Sequence, residues 1–491
     1  MSKRPTLVWL RHDLRLQDNG AILVALTSGA PVIPVFVLDE AAAGRWAPGG
    51  AGRWWLQGSL AALAVTLEQR GLRLVLRRGD SVEQLRELAA STGAGLVCWS
   101  RAAEPAGRAT EAAVRAAMQA GGVAVRESGG GLLFEPEAVR NQAGKPFQVF
   151  TPFWRHCLTL PVPEPLVLPD GPWPSPAQWP RGDALEAWAL RPRLGWAAGF
   201  GEAGTPGEAG AQRALAKFVA EAMDDYQASR DLPGVEGTSR LSPHLHFGEL
   251  SPRQIWAAVT EASRASGVMP RSRGAFVFLS EVGWREFAHH LLWHFPLSPE
   301  QPLRAEYRDF PWQRDEAVLQ AWRRGCTGYP IVDAGMRQLW HTGWMHNRVR
   351  MIVASLLVKQ LLQPWIEGAA WFWDTLVDAD LAANTLGWQW SAGCGADAAP
   401  YFRIFNPVLQ GAKFDPAGDY VRRWVPELAG VPTESIHSPW EAAPLELAAA
   451  GVVLGRDYPH PLVAPGEGRA RAMAALAEWK RTRATDAGGR T

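Results

Sequence analysis

Five short apolar runs punctuate the first 130 residues: TLVWL (6–10), PVIPVFVLD (31–39), LRLVLRRG (72–79), GLVCWS (95–100) and VAVRES (123–128). Between them lie Ala- and Leu-rich stretches at 53–70, 81–92 and 106–120, where apolar positions recur at helical spacing. Near-continuous apolar strands alternating with helices predict an α/β domain with a doubly wound, Rossmann-like parallel sheet over 1–130. No GxGxxG follows the first strand, so a ligand here is not held by the usual dinucleotide loop. The pattern then breaks down. PVPEPLVLPDGPWPSPAQWP (161–180) has no period and marks a long connection, placed here at 131–207. From 208 the apolar spacing becomes helical, as in FVFLSEVGWREFAHHLLWHF (276–295) and RVRMIVASLLVKQLL (348–362). An all-α domain over 208–480 follows, with a frayed polar tail at 481–491.

Composition adds three constraints. Lys+Arg is 50 against 49 for Asp+Glu, so any nucleic-acid contact must come from a local basic patch rather than from bulk charge. MSKRPTLVWLRHDLRLQDN lacks an apolar signal region, and no apolar run is long enough to cross a bilayer, so a cytoplasmic protein is expected. The four cysteines, Cys98, Cys157, Cys326 and Cys394, show no CxxC spacing, and reduced thiols without a metal are expected. Tryptophan is the anomaly, with 25 against 6 tyrosines.

Three stretches carry candidate chemistry. A helix starting near His346 in GWMHNRVRMIVAS puts Asn347, Arg350 and Met351 on one face. An arginine on an otherwise apolar helix calls for a carboxylate, and Asp378 or Asp380 of DADLAANTLGWQW is the candidate. In SEVGWREF, Glu281, Trp284 and Arg285 share a helical face, and a glutamate beside an indole is a candidate proton or hydrogen-bond donor. In EGTSRLSPHL, Thr238, Ser239 and Ser242 gather hydroxyls before a helix, which suits phosphate binding as well as ordinary capping.

Together with LVWLRHDLRLQDNGAI, GYPIVDAGMRQLWHTGWMHNRVRM and DAAPYFRIFNP, these stretches resemble the photolyase/cryptochrome flavoproteins, in the family's order and over roughly residues 6–480. The resemblance implies an antenna-binding α/β domain, a long linker and a helical FAD-binding domain. It implies FAD contacts at Tyr226, Thr238, Ser239, Arg240, Leu241, Ser242, Phe278, Glu281, Arg285, Asn347, Arg350, Asp378 and Asp380, with Arg350 and Asp378 as an ion pair beside the flavin and Asn384 facing flavin N5. Trp388, Trp365 and Trp312 match the photoreduction triad. Trp284 and Trp390 match the pair that clamps a flipped pyrimidine dimer. Glu281 and Asn347 match its hydrogen-bonding groups, with Met351 packed beside it. Extrusion is the general route for enzymes acting on a base, photolyases among them. Arg230, Arg348 and Arg403 match cations along the DNA backbone, where they fix register without reading sequence.

The activity implied is light-driven repair of cyclobutane dimers in UV-damaged DNA: excited, fully reduced FAD gives an electron to the dimer, the ring splits, and the electron returns. That makes the expected enzyme a deoxyribodipyrimidine photo-lyase of the bacterial cyclobutane type, acting as a monomer. The competing reading is a blue-light photoreceptor of the cryptochrome type. For the antenna, methenyltetrahydrofolate is the first expectation, with 8-hydroxy-5-deazaflavin, FMN or none as alternatives. Glu104 is kept from the folate pattern, whereas Ala106 and Gly107 stand where polar contacts are expected, and Trp54 and Trp55 either stack a pterin or pack a helix.

Overall fold

The computed structural model describes residues 3–192, 195–265, 272–398, 400–401 and 403–488. Five parallel strands form one sheet: β1 (Thr6–Leu10), β2 (Val32–Leu38), β3 (Val75–Arg78), β4 (Leu96–Ser100) and β5 (Ala124–Ser128), in the order β3-β2-β1-β4-β5. Thr6 of β1 is in register with Val32 of β2 on one side and with Leu96 of β4 on the other. Every residue of β1 and β2 is buried, because helices cover both faces. This burial on both sides is why these strands read as unbroken apolar runs. The edge strand β5 is half-exposed throughout and is the least apolar of the five.

The covering helices are α1 (Gly20–Thr27), α2 (Gly50–Glu68), α3 (Ser81–Thr92) and α4 (Pro105–Ala120). Asn19 caps α1 by accepting from Ile22 N at 3.1 Å, and Asp80 caps α3 by accepting from Glu83 N at 2.9 Å. The chain order reverses between β1 and β4. In open α/β sheets that crevice, at the carboxyl ends of the strands, is where ligands bind.

The long connection carries one regular helix, α5 (Phe150–Cys157), and two short 3-10 segments at Leu185–Trp188 and Gly195–Ala203. The second half is helical. The site rests on α6 (Arg273–His294), α7 (Pro330–Thr342), α8 (Asn347–Ser355), α9 (Trp365–Thr375) and α10 (Leu381–Ala392). After Ser355 the helix widens into a π segment, Leu356–Gln360. The last helix, Pro465–Gly488, corrects the expected frayed tail at 481–491. Its Ala, Lys and Arg residues favour a helix, and 489–491 lie outside the described residues. No helix among the described residues is long and apolar enough to cross a membrane. All four cysteines are unpaired.

The segment after β1 clasps the helical half. Leu14 N donates to Phe247 O at 3.1 Å and Arg15 Nη1 to Gly248 O at 2.9 Å. Gly248 has φ +66°, and a Cβ there would lie 2.0 Å from His12 O, so only glycine fits this crossing. Asp18, fully buried, accepts from Ser251 Oγ at 2.5 Å and from Arg253 Nε at 3.0 Å.

Candidate functional site

Helix α8 begins where the sequence places it. His346 is its N-cap, with Nδ1 accepting from Arg348 N at 3.2 Å. Burial pushes this imidazole down to about 4, opposed by Asp231 and reinforced by Arg350, Arg240 and Arg348. A neutral ring is therefore the capping form. The first turn presents Asn347, exposed, beside half-buried Met351.

Of the two carboxylates weighed for Arg350, Asp378 is the partner. Arg350 Nη2 donates to both its oxygens, at 2.8 and 3.1 Å, and Ser242 Oγ donates to it at 2.6 Å. Three distant stretches of sequence thus meet at one carboxylate. Asp380 has other work. It caps α10 by accepting from Ala383 N at 2.8 Å, and it faces His289 Nε2 at 3.4 Å and His246 Nδ1 at 3.8 Å. Burial opposes its charge, yet His289 and His246 outweigh burial and hold this carboxyl well below the usual range. For His289 the same balance runs the other way: burial works against the cation, and Asp380 nevertheless raises it. Neither histidine was singled out from sequence. His289 stands four residues after Arg285 on one helix, and that spacing is the signal that could have found it.

Asn384 donates from Nδ2 to Ala369 O at 3.0 Å, which fixes the orientation of its amide. Trp388 and Trp365 are buried in one core cluster and half-buried Trp312 packs against it. Trp388 meets Phe372 at 5.0 Å and Trp322 at 6.0 Å. Trp322, fully buried, was not anticipated. Gly368 makes room for Trp388: a Cβ there would lie 2.0 Å from the indole.

The expected trio on α6 separates. Residues 281, 284 and 285 share a face, yet each finds a different neighbour. Glu281 pairs with Arg230 Nη1 at 2.5 Å. Trp284 stacks instead on Phe150, with ring centroids 3.8 Å apart and planes 11° apart. Arg285 donates to Gly131 O at 2.8 Å and lines the crevice between the two halves. Arg230 is thus held by Glu281 and lies 3.9 Å from Asp231, while Asp231 receives Arg348 Nη2 at 2.8 Å. Arg348 reaches on to Met351 Sδ at 3.9 Å. Asp231, also not anticipated, joins the two arginines. Trp390 is half-buried on α10 and Arg403 is exposed.

Phe278 and Tyr226 pack together with ring centroids 5.4 Å apart, and Phe278 meets Phe218 at 4.3 Å. Leu241 is buried beside them. Arg240 is paired with Glu236 at 2.9 Å and lies over the Trp344 ring at 4.3 Å. Thr238 and Ser239 are half-buried, in the segment preceding the helix Ser242–His246. Hydroxyls at 238, 239 and 242 with Arg240 and Arg350 nearby in sequence or space form a donor set that fits an anionic dinucleotide such as FAD.

At the crevice, a cavity is lined by Arg11, His12, Trp46, Glu104, Trp293 and Trp373. Ala106 and Gly107 line it as well. Trp55 does not: it is fully buried and donates to Glu249 at 3.2 Å, and Trp54 packs edge-on against Phe200 at 5.5 Å. Both indoles serve packing between the halves.

Two family models match the chain: "DNA photolyase" over residues 6–169 and "FAD binding domain of DNA photolyase" over 278–478. A deoxyribodipyrimidine photo-lyase of Agrobacterium fabrum is 48% identical over 479 residues, 97% of this chain and 98% of that one. The chain belongs to the DNA photolyase and cryptochrome family. Its photolyase-type helical half carries the matched FAD-binding domain. A bacterial class III photolyase from Agrobacterium tumefaciens superposes with a TM-score of 0.94 at 48% identity, covering 98% of both chains. Cryptochrome-1 of Arabidopsis thaliana is 40% identical over 97% of this chain and 70% of its own length.

Proposed function

We propose that this protein is a light-driven photolyase that repairs cyclobutane pyrimidine dimers in DNA. The observation that carries the reading is the meeting of Ser242, Arg350 and Asp378 at one carboxylate, on the helix whose first turn presents Asn347, Arg348 and Met351. Reduced FAD, when bound, supplies the light-excited electron that splits the dimer. The chain's own residues do the rest. Arg350 and Ser242 hold Asp378, and this pair would stand beside a bound flavin. Thr238, Ser239 and Arg240 receive the phosphates. Ala369 O fixes the Asn384 amide, which would face the flavin ring of a bound FAD. Trp284 and Trp390 offer apolar surface to an extruded dimer, whose poor stacking makes extrusion cheaper than for intact bases. Asn347 and Glu281 hydrogen-bond its bases once Glu281 exchanges Arg230 for the ligand. Arg230, Arg348 and Arg403 hold phosphates, giving salt-dependent binding. Trp388 and Trp365, in one buried cluster with Trp312 packed against it, would offer indoles through which an electron could reach a bound flavin.

Methenyltetrahydrofolate would take the crevice cavity, with Glu104 as its polar contact and Trp46, Trp293 and Trp373 as aromatic lining. A deazaflavin or FMN would use the same walls. The protein acts as a monomer, which sedimentation of the holoprotein tests.

The test of function is dimer repair by reduced protein, followed at the thymine absorption band with and without blue light. Recovery of intact thymine only in light is the expected result. No recovery from FAD-loaded protein sinks the proposal and favours the photoreceptor reading, which the likeness to the Arabidopsis cryptochrome motivates. That second reading is then tested by light-dependent partner capture.

A further inference from the structure

Four side chains from three parts of the chain alternate in charge along one line of contacts: Glu281 of α6, Arg230 and Asp231 from the segment after Tyr226–Ser229, and Arg348 of α8. The contacts run 2.5 Å from Glu281 to Arg230, 3.9 Å from Arg230 to Asp231, and 2.8 Å from Asp231 to Arg348. Arg348 grips Asp231 with two nitrogens, Nη2 on Oδ2 at 2.8 Å and Nε on Oδ1 at 3.3 Å. This two-pronged grip is the geometry in which a guanidinium also holds a phosphate diester. The four charges cancel, so an incoming phosphate meets no net cation unless one carboxylate leaves.

The two carboxylates answer different ligands: Glu281 exchanges Arg230 for the bases of a dimer, whereas Asp231 alone occupies the grip of Arg348. Glu281 stands in the middle of a 22-residue helix. Asp231 stands in irregular chain just past a four-residue helix, and its side chain is 34% exposed. Asp231 leaves the Arg348 grip by rotation of its own side chain and of the irregular segment that carries it, with α6 and α8 unchanged.

We propose that Asp231 is a built-in phosphate mimic: it occupies the Arg348 grip in the free protein and must be displaced when a DNA phosphate binds. This rests on the reading of the protein as a DNA-binding photolyase. Non-specific DNA binding is almost wholly electrostatic, so an internal anion on the gripping arginine weakens the hold on undamaged DNA. A lesion adds base contacts that undamaged DNA lacks, and these help offset the displacement. The competing possibility is that Asp231 merely orients Arg348 and stays in place when DNA binds. The two differ in sign: removing a competitor strengthens binding, and removing an orienting group weakens it.

The experiment measures dissociation constants of the FAD-loaded protein in the dark, across a salt series. The ligands are an undamaged duplex and the same duplex carrying one thymine dimer. Asp231→Asn is expected to bind undamaged duplex about tenfold more tightly at low salt, and its log–log salt slope should be steeper by up to about 0.9, the contribution of one more neutralised phosphate. Asp231→Glu, which restores the carboxylate, should return the wild-type slope. In an Arg348→Gln background, Asp231→Asn should no longer change the slope. Asp231→Ser gives a second neutral variant if the asparagine protein does not fold. Unchanged or weaker binding by the neutral variants, with an unchanged slope, overturns the proposal. Wild-type protein that shows no preference for the dimer duplex overturns the function reading instead, so the two failures are distinguishable.

Discussion

Acid should loosen the helix on which the site is built, through one histidine. His346 caps α8 through Nδ1, which accepts from Arg348 N at 3.2 Å, and only a neutral imidazole can accept there. Its side chain is buried, and burial reinforced by three arginines holds it down at about 4. In the unfolded chain the same ring takes a proton from about pH 6.5 downward. Between those two values the unfolded state binds more protons, so stability falls as pH falls and levels off once the folded ring is also protonated. Each pH unit in that window is worth about 1.4 kcal/mol, so this one group removes about 2 kcal/mol between neutrality and about pH 5. Asparagine caps a helix as well as any residue and does not titrate. His346→Asn should therefore show about 2 kcal/mol less acid sensitivity over that range while keeping its stability near neutrality. The assay is urea denaturation followed by circular dichroism at the two pH values, with the m-value checked for constancy. A variant that loses as much stability in acid as wild type would refute the assignment of the cap to the neutral ring.

Three other outcomes are expected. Gly368→Ala forces the Trp388 indole to move by more than 1 Å, since its Cβ would lie 2.0 Å from the ring; this should cost about 1–3 kcal/mol in thermal unfolding and slow photoreduction of oxidised FAD, and wild-type values of both would contradict the packing argument. Asp378→Asn removes the partner of a mostly buried Arg350, and after allowance for the arginine's partial exposure the loss should be about 2–3 kcal/mol, with a drop in FAD retained after desalting; full retention at unchanged stability would count against it. For Asp380 and His289 the sign is opposite to that of His346: His289 is raised above its ordinary value, so its contribution is complete below about pH 6.5 and is lost as pH rises through the raised value. Asp380→Asn should remove that alkaline loss, and an NMR titration of His289 that is unmoved in the variant would show that the carboxylate is not its cause.

What was legible in sequence was what is local or buried on both faces. β2 reads as an unbroken apolar run because all seven of its residues are buried, and α3 spans 81–92 as its pattern predicts because Asp80 and Gly93 mark its ends. The α8 face carrying Asn347, Arg350 and Met351 was legible because three- and four-residue spacing fixes it. Spacing alone left Asp378 and Asp380 open, because the choice depends on where His246 and His289 arrive in space; it was the family resemblance that pointed to Asp378. The same limit hid the pairing of Glu281 with Arg230, 51 residues away. Helical spacing grouped Glu281 with Trp284, but a shared face does not imply a shared partner when three neighbouring elements pack along it. Trp54 and Trp55 show the ambiguity of aromatic residues: nothing in their local pattern tells an indole that stacks a ligand from one that packs a domain joint.

That joint explains why the two halves can hold a fixed geometry across a long irregular connection. Two fully buried carboxylates, Asp18 and Glu249, sit in it. Glu249 gathers Ser59 Oγ at 2.5 Å, Trp55 Nε1 at 3.2 Å, Gly207 N at 2.7 Å and His244 Nδ1 at 2.5 Å, from both halves and the connection. Asp18 gathers Ser251, Arg253 and Leu166 N in the same way. An apolar seam tolerates sliding, because dispersion contacts have little directionality. A buried carboxylate does not, because any shift that breaks one of its hydrogen bonds leaves a desolvated charge short of a partner. The crevice cavity at the ends of β1 and β4 lies against His246, His289 and Asp380. A chromophore seated there would therefore keep a constant separation from the helical site, which energy transfer between them requires, and the two carboxylates are the residues that hold it.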